Sequence, residues 1–200
     1  MELQAMRKLL IESAIKVVAH DGLEHTTTKS ISTVSHLNEV YIYRCFDGKD
    51  DLLKKAYLIE DDNFAKMLYE NMHIMKDESL PPKERAFLLW KKSWDFILEY
   101  EDDCKFYLRY YYSASHRSVS NSAHMESYRK IFESAEPYFK EGTPTVLLIH
   151  QIFDTMLCFA ARVMSGEVEN DDFLVHWAFE QILAFVVPHV RPELFAKKES

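Results

Sequence analysis

Residues 26–53 read TTTKSISTVSHLNEVYIYRCFDGKDDLL, and this stretch decides the fold. Thr27 or Thr28 offers a hydroxyl to cap a short helix, whose apolar positions Ile31 and Val34 stand three apart like a buried helical stripe. The pattern breaks at His36, Leu37 and Asn38. It resumes with Ile42 and Phe46, four apart and therefore on one face, which leaves Glu39, Tyr41, Tyr43 and Arg44 to point elsewhere. Two short helices joined by a turn of about three or four residues make a helix-turn-helix, whose second helix enters the major groove of DNA.

Upstream, residues 3–20 form a helix with Leu9, Leu10, Ala14, Val17 and Val18 on its apolar face, and Gly22 is placed to end it in the left-handed conformation. With that helix, Gly22, the threonine pair, Ile31, Leu37, Ile42, Tyr43, Phe46, Lys49 and Leu52 in order, about a quarter of the chain resembles the DNA-binding domain of the TetR family of transcriptional regulators. The resemblance implies an all-α chain of about nine helices. Residues 1–48 would be the helix-turn-helix DNA-binding domain and residues 49–200 a helical effector-binding and dimerisation domain. It also implies that Tyr43 hydrogen-bonds a phosphate. Thr27, Thr28 and Lys49, beside helix N-termini, would contact phosphates as well, while Asn38, Glu39, Tyr41 and Arg44 face bases or backbone. Arginine is the most informative of these, because its fork reads guanine bidentately. Three positions depart from the family pattern: Val40 and His36 stand where glycine is usual, and Glu39 puts a carboxylate where a neutral or basic residue is common. Glu39 would be repelled by phosphate or would accept from a cytosine amino group.

The totals agree with a helical chain. Across 200 residues there are four glycines and six prolines, each glycine stands where an apolar helical pattern stops, and 48% hydrophobic residues are ample for a core. Cys45, Cys104 and Cys158 are odd in number and widely spaced, which reads as reduced packing residues of a cytoplasmic protein. Glu12, Ser13 and Lys16 interrupt the N-terminal apolar run, and no later stretch reaches the ~18 apolar residues of a membrane span, so no membrane partner is expected. Residues 1–55 carry no net charge, while the remainder carries all of the net −8, so a polyanion is tolerated by the first part and repelled by the second.

Beyond the loop KDESLPPKER at 76–85, the chain is strongly aromatic. Trp90, Trp94, Tyr107, Tyr110, Tyr111, Phe153 and Phe159 fit either a packed core or a largely apolar effector pocket with a few polar handles. Asp95, Glu99 or Asp154 would suit a cationic ligand, and Arg109 or His150 an anionic one. Thr143 followed by Pro144 signals another helix start. The last two long helices, residues 144–165 and 173–187, hold more apolar surface than one neighbour covers, which suggests a two-fold four-helix interface between identical subunits.

Enzyme readings find little. Glu70 and His73 form one Glu-x-x-His, but no second copy exists, and there is no Cys-x-x-Cys, His-x-x-x-His, glycine-rich phosphate loop or nucleophile elbow. The expectation is a non-enzymatic regulator with neither catalytic residues, metal nor cofactor, whose partners are a double-stranded operator, a small effector and a second copy of itself. The alternative is a helical dimeric module that binds a small molecule or protein and has degenerate DNA recognition.

Overall fold

The computed structural model describes residues 2–118 and 121–194, except the side chains of 117, 118 and 121–123. Nine α-helices follow one another among the described residues: α1 (Leu3–Asp21), α2 (Thr28–Ser35), α3 (Val40–Cys45), α4 (Lys49–Asn71), α5 (Pro82–Glu99), α6 (Glu101–Tyr111), α7 (Asn121–Ala135), α8 (Thr145–Met164) and α9 (Asp172–Val186). Short 3-10 turns extend several of them, and no strand is present among the described residues beyond an isolated bridge between Phe139 and Val190. The all-α expectation holds.

The chain packs as two compact units, Met1–Phe64 with Tyr100–Ser127, and Ala65–Glu99 with Tyr128–Ser200. In the first, Leu10, Ala14, Val18, Ile31, Ile42, Leu52, Ala56 and Tyr57 form one buried cluster with Phe106 and Tyr110 of α6. The helix-turn-helix therefore shares its core with α4 and α6. Arg109 of α6 is spent in the same unit, donating to the carbonyl of Val18 at 2.8 Å, close to where Gly22 turns the chain with φ 91°. In the second unit, Trp94 and Ile97 of α5 are buried with Met156 and Ala160 of α8 and Ala178 and Phe179 of α9. Trp94 donates through its indole to Asn170 at 3.1 Å.

Several sequence expectations need correction. Val34 is exposed, and the buried partner of Ile31 is Ser35, four residues on; a helix of two turns packed on α1 has room for one narrow stripe only. Thr143 does not cap α8, whose N-cap position is Pro144 without a side-chain bond. α9 is capped by Asp171, which accepts from the amide of Leu174 at 2.8 Å. Cys45 and Cys104 are buried, but Cys158 is exposed and so is not a packing residue. α8 also overturns the expectation that no stretch matches a membrane span: by length and composition alone it is long and apolar enough, and only a minority of it is buried within the chain.

Candidate nucleic-acid interface

The start of α2 is a complete capping box. Thr27 Oγ1 accepts from the amide of Ser30 at 3.0 Å, and Ser30 Oγ accepts from the amide of Thr27 at 2.9 Å. Thr27 itself is exposed. The turn after α2 is made by His36 in the left-handed conformation at φ 55°, the one non-glycine residue of positive φ among the described residues. Ser35 supports it, donating to the Ser32 carbonyl at 3.2 Å and accepting from the amide of Leu37 at 3.3 Å. Ser32 Oγ donates to the carbonyl of Leu37. Asn38 Oδ1 then accepts from the amide of Val40 at 3.0 Å, a local turn that leads into α3, whose N-cap position is Glu39 without a side-chain capping bond.

α3 is anchored by Ile42, Cys45 and, at its end, Phe46, all buried. Arg7 of α1 holds that end from beneath: its guanidinium lies 4.5 Å from the Phe46 ring centroid and donates to the Cys45 carbonyl. With that face fixed, the other face of α3 must point outward. Val40 is 67% exposed, Tyr43 65%, and Arg44 is exposed as well, with Tyr41 partly covered.

Besides Thr27, two more residues expected at DNA phosphates are already engaged. Thr28 Oγ1 donates to Glu39 Oε2 at 2.6 Å, which ties the first turn of α2 to the start of α3. The carboxylate that looked anomalous on the reading helix is thus a strut between the two helices. Lys49, first residue of α4, donates from Nζ to the carbonyl of Thr26 at 2.9 Å. Its charge remains beside the capping residue of α2, but its position is set by the chain. Arg7 could not be picked out from the sequence, because its partner carbonyl on Cys45 lies 38 residues away. Ser35 bonds locally to Ser32 and Leu37, and escapes notice only because a serine in a short helix carries no distinctive signal.

No family model matches the sequence, and no curated relative is detected. Solved structures do match along nearly the whole chain. A TetR family transcription regulator from Marinobacter aquaeolei VT8 superposes with a TM-score of 0.71 at 15% identity, covering 90% of this chain and 95% of its own. The fatty acid degradation regulator FadR from Bacillus halodurans gives 0.68 at 18%, covering 89% and 94%. FadR from Bacillus subtilis, solved in complex with stearoyl-CoA, gives 0.61 at 17%, covering 90% and 97%. The fold is that of the TetR-family regulators.

Within this TetR fold the seven aromatic residues expected at an effector site fall into different units. Tyr107, Tyr110 and Tyr111 belong to the unit of the helix-turn-helix, where Tyr57 stacks on Tyr107 and Tyr110 with ring centroids 5.1 and 5.0 Å apart. In the other unit Trp90 stacks on Trp94 at 5.3 Å, Phe159 meets Trp177 edge-on at 5.4 Å and Phe153 meets Tyr128 at 6.2 Å. That unit also has an apolar cavity of about 150 Å³ lined by Met75, Ala86, Phe139, Leu183 and Val186 among others, and none of the seven lines it. Asp95 is exposed and paired with Lys91 at 2.6 Å, while Glu99 and Asp154 are exposed. His150 sits edge-on to Phe132 at 5.9 Å.

The buried acid is one the sequence did not single out. Asp61 of α4 is 1% exposed and accepts from the hydroxyl of Tyr107 at 3.1 Å, with His124 Nδ1 at 2.9 and 3.0 Å from its two oxygens.

Proposed function

We propose that this chain is a DNA-binding transcription regulator, a homodimeric cytoplasmic repressor released from a pseudo-palindromic operator by a small, largely apolar effector. The observation that carries the reading is the outward face of α3. Tyr43 and Arg44 project from a helix whose opposite face is locked by Ile42, Cys45 and Arg7, so binding would find them already positioned. Thr27, Asn38, Tyr41, Tyr43 and Lys49 are the proposed phosphate and groove contacts and Arg44 the base reader, with Thr28 and Glu39 fixing the angle between the helices.

The proposed division of roles at residue 48 is functional, since packing continues across it through α4 and α6. For self-association, exposed Leu147 on α8 and Phe173 and Trp177 on α9 supply the apolar face. The effector is proposed to act through Trp90, Trp94, Tyr107, Tyr110, Tyr111, Phe153 or Phe159.

Fluorescence anisotropy against a randomised duplex pool tests the reading. Selection should enrich a pseudo-palindrome, and affinity for it should fall steeply with salt as phosphate contacts release counterions. Failure to enrich any sequence at low salt would overturn it.

A further inference from the structure

We infer that the cluster around Asp61 is a binding site for a small planar nitrogen cation, an amidinium or imidazolium, and that His124 occupies its seat in this structure. The inference rests on the regulator reading for its biological role and gives the largely apolar effector proposed there a cationic nitrogen head group.

Asp61 is the one carboxylate among the buried described residues. A carboxylate removed from water is costly unless a positive N–H donor meets it. Among the described side chains, neither of its oxygens meets a lysine or arginine; its partners are the Tyr107 phenol and the imidazole of His124, which carries charge only when protonated. The His124 nitrogen lies almost equidistant from the two oxygens, at 2.9 and 3.0 Å. An amidinium offers two N–H groups in the plane of a carboxylate and so suits that position better than the single Nδ1 of histidine.

The walls suit a delocalised cation. Tyr57 and Tyr107 stack at 5.1 Å, Tyr107 and Tyr111 at 5.9 Å, and Phe64 and Tyr107 at 6.4 Å, so the phenol that bonds Asp61 belongs to a group of stacked aromatic rings. A second imidazole among the described side chains here, that of His116, lies with Nε2 3.2 Å from the Tyr57 hydroxyl. Burial lowers its pKa, His124 lowers it further and Asp61 opposes, so His116 gives up its proton more readily than a free imidazole. The Tyr57 phenol is raised by burial first and by Asp61 second, which keeps it a neutral donor.

A ligand seated on Asp61 displaces His124 and so detaches the first turn of α7 from α4. α4 is the helix whose Lys49 holds Thr26 and whose Tyr57 shares a core with Ile31 and Ile42, all in one compact unit with the helix-turn-helix. The seat is therefore built into the support of the reading helix.

Benzamidine, with benzamide as the neutral isostere and benzoate as the anion, tests this by calorimetry on the full chain without DNA. Benzamidine should bind and the other two should not. His124→Ala should tighten benzamidine about tenfold by removing the internal competitor, and Asp61→Asn should abolish binding in a chain that still melts cooperatively. If Asp61→Asn does not fold, the amidine-versus-amide comparison on the unmodified chain decides. Equal binding of benzamide, weaker binding in His124→Ala, or no benzamidine binding to either chain would overturn the site. Operator binding is read separately by anisotropy: DNA binding without benzamidine binding discards the cation site alone, and benzamidine binding without DNA binding upholds the site and discards the regulator.

Discussion

Glu60, beside Asn63 on α4, is a side chain whose ionisation near neutral pH opposes folding. Burial, the largest cause, pushes its carboxyl up from the ordinary 4.5 to about 7; Asp103 on α6 adds to this and the Asn63 amide, 3.2 Å from Oε2, works against it. The folded chain holds this proton more tightly than the unfolded one, so the stabilisation is complete below about pH 4.5 and is lost as pH rises through about 7. Glu60→Gln should therefore match the parent in urea at pH 4.5. At pH 8 it should exceed the parent by about 1–2 kcal/mol, a figure reduced from the full shift because the group is partly solvated. An equal gap at both pH values would show that packing, not charge, sets the difference. His36 offers a second test at this scale. In its left-handed conformation a β-branched side chain costs about 1–2 kcal/mol, so His36→Val should lower the unfolding midpoint while His36→Gly leaves it unchanged or raises it.

Among the elements, α2, the turn and α3 were legible because their determinants are local: a capping hydroxyl, Ile42 and Phe46 four apart, and a break at His36. What the sequence hid lies in long-range pairs. Asp61 takes Tyr107 from 46 residues away and His124 from 63, and no periodicity in α4 announces either. Glu39 shows the same limit, since an acidic residue on a reading helix suggests repulsion until Thr28 is seen beneath it. The strut predicts a coupling: in a double-mutant cycle, Thr28→Val and Glu39→Ala should share about 1–2 kcal/mol of stability, because the bond is charge-assisted and holds two helices. Additive losses would mean the helices are fixed by Ile31 and Ile42 alone. On DNA, Tyr43→Phe and Lys49→Ala should weaken all duplexes alike, whereas Arg44→Ala should change base preference. Lys49→Ala should in addition lower thermal stability, since Nζ also holds the Thr26 carbonyl. Uniform weakening in all three would reduce Arg44 to a positioning residue.

At the scale of the whole molecule, the two most exposed aliphatic and aromatic residues of the last two long helices are the ones that bear on self-association. Phe173 is 75% exposed and Leu147 67%, and Trp177, one turn along α9 from Phe173, is exposed too. A chain of net charge −8 has ample polar surface, so a phenylalanine left this open points to cover by another surface. Because Leu147 and Phe173 are so exposed, charging them should cost the subunit little. Leu147→Glu with Phe173→Glu should keep the helical circular dichroism and the melting of an isolated subunit. Light scattering should then fall from about twice the 23.6 kDa chain mass to that mass. Affinity for a pseudo-palindromic duplex should drop about a hundredfold or more, since the second half-site would be reached only by a separate binding event, while affinity for a single half-site should be unchanged. A variant that stays dimeric with both charges in place would put the interface elsewhere on the chain, and one that is monomeric yet binds the full palindrome undiminished would separate self-association from operator recognition.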